Sequence, residues 1–434
     1  MGYLLDLLYL AAIVVASPYL LYAAIRYGKY REGWRQKFLG SVPLRSGKNK
    51  CIWLHAVSVG EVNLLAPLIA RWDAQFPDWE CVISTTTLAG YNLARKRYAP
   101  RTVFYCPLDF TWSARRAIRR IRPDLLVLAE LELWPNLVSA AKSFGAKIAI
   151  INGRLGDKSL RGYQRIGFLT RSLLEQIDLI AAQNEEYAQR FRQLGAHPAA
   201  VTVTGSIKFD GALSDRHNST TKRLAALASI QATDHVFLAG STQEPEESLA
   251  VKVFSKLVEK HPRLRLILVP RHPERFDEVA RMLEKCGLPW QRRSTIESTG
   301  LDPCARILLV DIIGELAHWW GAAQIAFVGG SLGSRGGQNM IEPAAYGAAV
   351  SFGPNTWNFK DVVAMLLARE AAVVVKGGAE LETFVRRCIE DAAFAAGLGQ
   401  NAQSLVLSQL GATDRTVELL SRLVATDATT RRAA

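Results

Sequence analysis

A chain of 434 residues with 49% hydrophobic and 21% charged side chains is long enough for two or three sizeable cores and is globular rather than disordered. Its 53 basic against 40 acidic residues leave a formal charge of +13, which suits an anionic membrane or an acidic substrate. No zinc-finger, homeodomain or RNP signature accompanies that charge, which disfavours nucleic acid; six scattered cysteines without a CxxC pair and seven histidines without HExxH indicate no metal site.

The first predicted element is an uncharged run from Leu7 to Ile25, just long enough to span a hydrocarbon core. Arg26, Lys29, Arg31, Arg35 and Lys37 follow it. The positive-inside rule then puts everything downstream in the cytoplasm. Residues 1–28 are therefore read as a single membrane anchor, with a helix lying in the interface as the alternative.

Beyond residue 50, short apolar runs alternate with amphipathic stretches. Cys51–His55, Cys81–Ser84, Val103–Cys106, Leu125–Ala129, Lys147–Ile151, Leu179–Ala182 and Val201–Val203 read as strands, with helices such as Glu61–Gln75 and Leu88–Tyr98 between them. A polar stretch at 213–232 is the linker candidate. A second series follows: Val236–Ala239, Leu266–Val269, Ile307–Val310, Ala323–Val328 and Ala348–Phe352. This βαβ alternation predicts two doubly wound α/β domains with a cleft between them, over 29–212 and 233–410. Residues 411–434 are expected to form a final helix and a frayed polar tail.

The candidate chemistry falls at strand ends, where ligands sit in such sheets. In His55-Ala56-Val57-Ser58-Val59-Gly60-Glu61, the glutamate falls in the first turn of a helix, as a proton acceptor or as a helix cap. Glu130-Leu131-Glu132-Leu133-Trp134-Pro135-Asn136 brings two carboxylates at i and i+2 after an apolar strand; they point the same way if the strand continues, or one of them caps the helix near Pro135. Lys208, in Thr204-Gly205-Ser206-Ile207-Lys208-Phe209-Asp210, is either a surface lysine or a partner for an anion.

In the second half, Gly240-Ser241-Thr242 and Pro270-Arg271-His272-Pro273-Glu274-Arg275-Phe276 each follow a strand; the Arg271 fork suits a phosphate or a base. Ile313-Gly314-Glu315 opens another helix, and Asn358-Phe359-Lys360-Asp361 a later one. The Gly-rich stretch Gly329-Gly330-Ser331 to Glu342-Pro343 follows a buried strand. Its glycines let backbone N–H groups approach a phosphate, and Asn339 and Glu342 can hold sugar hydroxyls. The spacing is not GxGxxG, so a dinucleotide is disfavoured. Arg115, Arg116, Arg119, Arg120 and Arg122 cover one basic helical face, either solvated or set against anionic lipid.

The motifs HAVSVGE, ELELWPN, TGSIKFD, GST, PRHPERF, GELAHWW, FVGGSLGSRGGQNMIEPAAYG and NFKDV occur in this order. With them the chain resembles, from its N-terminus to about residue 420, the 3-deoxy-D-manno-octulosonic acid (Kdo) transferases of lipopolysaccharide synthesis. The resemblance implies a GT-B fold, in which two Rossmann-like domains face a cleft. It implies inverting, metal-independent transfer of Kdo from CMP-Kdo to the glucosamine 6'-hydroxyl of lipid A precursor (lipid IVA), without a cofactor, at the cytoplasmic face of the bacterial inner membrane. By the same resemblance Glu61 is the general base and Glu130 and Lys208 stabilise the transition state. Pro270, Arg271, Ile313, Gly314, Glu315, Asn339, Met340, Ile341 and Glu342 match the CMP-binding segments. The alternatives are a GT-B glycosyltransferase or epimerase using a uridine nucleotide, and a membrane adaptor with a degenerate site; the presence of Glu61, Lys208 and Glu342 argues against the adaptor.

Overall fold

The short apolar runs pair with one another, and two parallel sheets result. The computed structural model of the chain describes residues 2–27 and 32–432; Lys29 and Arg31, counted above among the basic residues, lie outside the described residues. The chain divides into two units, residues 1–210 with 409–434, and residues 211–408.

The first unit holds β1 (Cys51–His55), β2 (Glu80–Thr85), β3 (Val103–Tyr105), β4 (Leu125–Ala129), β5 (Lys147–Gly153), β6 (Leu179–Ala182) and β7 (Val201–Val203). They form one sheet in the order β3-β2-β1-β4-β5-β6-β7. Every pair is parallel. Alternation along β1 sends Cys51 and Trp53 into the core on one face and Ile52 and Leu54 into the core on the other. The strand order reverses between β1 and β4, so loops leaving these two strands diverge and open a crevice at their carboxyl ends.

The last helix, Ala412–Arg432, returns to this unit, burying Ala412, Val417 and Leu420 against the second core. Asp210 accepts the Gly411 N–H at 2.7 Å and also that of Thr413, and Arg415 Nε donates to the Thr204 carbonyl at 2.8 Å. This helix continues to Arg432, where the sequence suggested a frayed end.

The second unit holds β8 (His235–Thr242), β9 (Leu264–Pro270), β10 (Trp290–Arg292), β11 (Ile307–Leu309), β12 (Ile325–Val328), β13 (Ala349–Phe352) and β14 (Ala372–Val374), in the parallel order β10-β11-β9-β8-β12-β13-β14. Its order reverses between β8 and β12. All twelve strands expected from the sequence are present, and β10 and β14 are added at the edges. Both are three residues long and only partly buried; β10, Trp290-Gln291-Arg292, is too polar to stand out, whereas β14, Ala372-Val373-Val374, is apolar but short. The polar stretch 213–232 is no bare connector. It carries the helix Ser219–Leu227, and Arg216 donates to the carbonyls of Tyr346 (2.7 Å) and Gly321 (2.9 Å).

The N-terminal helix runs from Gly2 to Tyr27 and is long and apolar enough, by length and composition, to cross a membrane. Its first turns dock on the first unit. Asp6 is buried and accepts the Thr111 N–H at 2.8 Å, satisfying a free donor at the start of the helix Thr111–Ile121. The Tyr9 hydroxyl donates to Asp109 at 3.2 Å, and the Tyr9 ring packs edge-on against Phe110. After the undescribed residues 28–31 the chain is back at the same place: Phe38 stacks on Phe110, and Trp112 Nε1 donates to the Phe38 carbonyl.

Candidate active site

At the reversal point of the first sheet, Glu61 leaves β1 and Glu130 leaves β4. Ser58 caps the helix Val59–Gln75, accepting the Glu61 N–H, while its hydroxyl donates to Glu61 Oε1 at 2.8 Å. The Val57 N–H donates to Glu61 Oε2 at 2.9 Å. This is a capping box, so the helix-cap reading of Glu61 is correct as geometry. The same contacts fix the carboxylate's direction and leave each oxygen a lone pair. Burial pushes its pKa above the ordinary carboxylate value; the bonds from Val57 and Ser58 oppose that, and the charge of Glu130 adds to it.

Strand β4 ends at Ala129, and Glu130 turns into the left-handed region with φ of 58°. The expected extension of β4 through Glu132 is therefore absent. A non-glycine residue in that region is strained, and such residues cluster at functional sites. The strained turn sends the Glu130 carboxylate to Lys208, whose Nζ lies 2.6 Å away. Lys208 sits in a short 3-10 turn, Ile207–Phe209, held by Asn152, whose Oδ1 accepts the Ile207 N–H at 3.0 Å. Asn152 is itself left-handed at the end of β5, with φ of 52°, and its carbonyl accepts a bond from Gln183.

Glu132 takes a hydrogen bond from the Trp134 indole at 3.0 Å. Its pKa is pushed up to about 7 by burial, then by the charge of Glu61, with Glu130 contributing less. Neither glutamate caps the helix Pro135–Phe144. Asp109 does, accepting the N–H groups of Asn136 (3.1 Å) and Leu137 (2.9 Å). His55 is fully buried, bonded through Nδ1 to Ser84, and burial drives its pKa down to about 4. It is a neutral structural residue. Glu61, Glu130, Glu132 and Lys208 thus form one charged cluster at the carboxyl edge of the first sheet.

The second unit repeats the pattern at its own reversal point. The Gly-rich stretch follows β12, but its leading amides are not free for a phosphate. Glu246, buried at the start of the helix Glu246–Leu257, accepts the N–H groups of Gly330 (2.7 Å), Ser331 (2.9 Å), Leu332 (3.0 Å) and Gln243 (3.0 Å). A side chain at position 329 would collide with Thr242 and with Glu246 itself, so only glycine permits this approach. The loop closes through Gly337 N–H to the Gly330 carbonyl at 2.8 Å, and Asn358 braces it by donating to the Arg335 carbonyl at 2.7 Å.

Beyond the closed loop, Asn339 Oδ1 accepts the Ile341 N–H and Asn339 Nδ2 donates to Glu342 Oε1, both at 3.0 Å. The helix here, Ile341–Ala345, begins two residues before Pro343. Met340 is fully buried beneath it. Burial raises the Glu342 pKa, against the bond from Asn339 and the charge of Arg271. Arg271 is exposed just past Pro270, the last residue of β9, and its N–H is bonded to the Thr242 carbonyl at 3.0 Å. Arg271, Asn339 and Glu342 therefore belong together.

The 313–315 turn is presented differently from what its residue types suggest. Ile313 is exposed, and Gly314 is left-handed with φ of 94°. The Glu315 carboxylate is taken up by buried Arg293, at 3.0 and 2.8 Å, and by the Trp319 indole at 3.1 Å. Glu315 shapes the turn, which leaves backbone groups and Ile313 to meet a ligand. Arg275, beside Arg271 in the same motif, pairs with Glu247 at 2.8 Å and braces the fold.

Two Rossmann-like parallel sheets, each with polar residues gathered where its strand order reverses, are the architecture of a GT-B glycosyltransferase. The UDP-GlcNAc 2-epimerase from Neisseria meningitidis bound to UDP-GlcNAc has the same fold, with a TM-score of 0.55 over 86% of this chain and 100% of its own at 13% identity. Residues 32–211 match the family described as 3-Deoxy-D-manno-octulosonic-acid transferase (kdotransferase). The 3-deoxy-D-manno-octulosonic acid transferase of Haemophilus influenzae is 32% identical over 420 residues, 96% of this chain and 95% of its own. That of Bordetella pertussis is 34% identical over 381 residues, 85% and 86% of the two chains. The chain belongs to the Kdo transferase family, glycosyltransferases of lipopolysaccharide biosynthesis.

Proposed function

We propose that the chain transfers Kdo from CMP-Kdo to the glucosamine 6'-hydroxyl of a lipid A precursor, with inversion and without a metal. The observation that carries this is the Glu61, Glu130 and Lys208 cluster at the reversal point of the first sheet. Glu61 takes the proton of the acceptor hydroxyl as its oxygen bonds to the anomeric carbon of Kdo, while the bond from that carbon to the cytidylate oxygen breaks. Its raised pKa makes it a better proton acceptor than an ordinary carboxylate. Glu130 faces the positive charge that builds on the sugar, and Lys208 supplies a cation for the Kdo carboxylate or the departing phosphate.

On the second unit, Arg271 meets the phosphate of the cytidylate. Asn339 and Glu342 hold the ribose hydroxyls, and the exposed Ile313–Glu315 turn lies against the base. A single phosphate needs one fork-shaped cation rather than the metal that a diphosphate recruits. The test is mass spectrometry of the product formed from CMP-Kdo and a tetra-acylated lipid A precursor. One added Kdo or more is expected; no product, or transfer from a uridine nucleotide instead, refutes the reading.

The same reading seats both units on the cytoplasmic face of the inner membrane, with the N-terminal helix in the lipid. Chain length bears on how that helix sits. Tyr9 and Phe38 both pack on Phe110. The links from Tyr27 to Trp34 reach about 25 Å at most. A spanning helix would set Tyr27 roughly 30 Å of hydrocarbon away from the docked first turns, farther than those links reach. This supports the interfacial alternative, in which the helix lies along the membrane surface. Exposed Trp112, Arg115, Arg116 and Arg119 share its side of the unit and suit anionic head groups. Arg120 and Arg122 do not join them, because they donate to the carbonyls of Val42, Arg45 and Gly47.

A further inference from the structure

Immediately after β5, on the carboxyl edge that carries Glu61 and Glu130, the chain forms two short helices, Asp157–Arg165 and Gly167–Leu174. None of the chemistry above uses them. The first is amphipathic in an unusual way. Leu160 and Tyr163 pack inward on the core cluster against which Leu131, Leu133 and Trp134 also pack, and Tyr163 lies near enough to Glu132 to feel its charge. The opposite face carries Lys158, Arg161 and Arg165, at the i, i+3, i+7 spacing that puts three side chains on one stripe. All three are exposed. The one acid of this helix, Asp157, is engaged by Arg190.

The corner between the two helices is fixed. Thr170 Oγ1 donates to the carbonyls of Tyr163 (3.0 Å) and Ile166 (3.3 Å). The fixed corner pushes two large apolar side chains outward: Ile166 is 50% exposed and Phe168 is 76% exposed. Water disfavours such groups, and three neighbouring cations do nothing to satisfy them. A ligand that is anionic at one point and acylated at another satisfies both halves at once.

We propose that this corner is the landing site for the phosphorylated, acylated acceptor lipid, with Lys158, Arg161 and Arg165 receiving a phosphate and Ile166 and Phe168 an acyl chain. The inference rests on the acceptor assignment above and adds where the acceptor is recognised. Charge complementarity selects a phosphate-bearing lipid. The nearness of Tyr163 to Glu132 selects the acceptor over the bulk bilayer, because a lipid held here has its sugar on the side of the carboxylates.

The test uses the full-length protein in detergent micelles, with CMP-Kdo and two acceptors: the tetra-acylated bisphosphate and the same lipid with its phosphates removed. The triple variant Lys158→Ala, Arg161→Ala, Arg165→Ala is expected to raise the acceptor KM roughly tenfold for the phosphorylated lipid, leave the KM for CMP-Kdo unchanged, and lose nothing further with the dephosphorylated lipid. The double variant Ile166→Ser, Phe168→Ser is expected to raise KM for both lipids. An unchanged acceptor KM overturns the proposal, and so does an equal penalty on both lipids in the triple variant, which would mark a general membrane contact. Wild-type protein that transfers to neither lipid removes the acceptor assignment and this site with it. Wild-type transfer with unmoved variants removes this site alone.

Discussion

Removing the Glu246 carboxylate should cripple the second unit far more than a routine helix-capping glutamate would. Four backbone N–H groups, from Gln243, Gly330, Ser331 and Leu332, converge on its two oxygens at 2.7 to 3.0 Å, and the side chain is buried. Glu246→Ala leaves all four donors without a partner. Taking the low end of the cost of an unsatisfied buried donor, about 1 kcal/mol each, the loss is about 4 kcal/mol. For a unit of this size that is a fall in melting temperature of about 8–16 °C. Glu246→Gln keeps one acceptor oxygen and turns an NH2 group toward the remaining donors, so its loss should be intermediate. Calorimetric melting of the full-length protein reads both variants, and titration with CMP reads the consequence for the loop, where affinity should fall along with stability. A Glu246→Ala protein that melts within about 3 °C of wild type would refute the reasoning, because at most one of the four bonds would then be worth its assigned cost.

Lys208→Met deprives Glu130 of its partner at 2.6 Å. Turnover should fall by about 10²- to 10³-fold while CMP affinity, set on the other unit, stays unchanged; turnover at the wild-type rate contradicts the assignment. Glu132 binds its proton more tightly in the folded chain than in the unfolded one, with a pKa pushed up to about 7. Its stabilising contribution is therefore complete below the ordinary carboxylate range and lost as pH rises through about 7. Glu132→Gln should lose less stability than wild type between about pH 5 and about pH 8 in denaturant melts, and parallel losses would contradict this.

The strands were legible because a buried parallel strand is a short continuous apolar run, as Leu125–Ala129 and Ile325–Val328 are. β10 was hidden by its polar composition, and β14 by its three-residue length. The site was legible where its residues stand in one continuous motif, as with Ser58 and Glu61 or Asn339 and Glu342. It was illegible where a long-range partner decides the role. Glu246 reads as an ordinary first-turn acid, yet it occupies amides some 85 residues away that looked ready for a phosphate. Asp109 takes the cap that the alternative reading gave to Glu130 or Glu132, which frees both for the cluster. Asn152 carries no motif at all, and only the fold shows that it sets the turn bearing Lys208. The strain at Glu130 is equally silent in the sequence, because glutamate has no preference for the left-handed region that would announce it.

The central claim is that Glu61 receives the acceptor's proton, and Glu61→Gln tests it most directly. Glutamine can still accept from the Val57 N–H and bond Ser58, so the capping box survives while the base is lost. With CMP-Kdo and the tetra-acylated acceptor, single-turnover transfer should drop by about 10²- to 10⁴-fold, with CMP affinity and melting temperature kept. A Glu61→Gln protein that forms product at the wild-type rate would contradict the account.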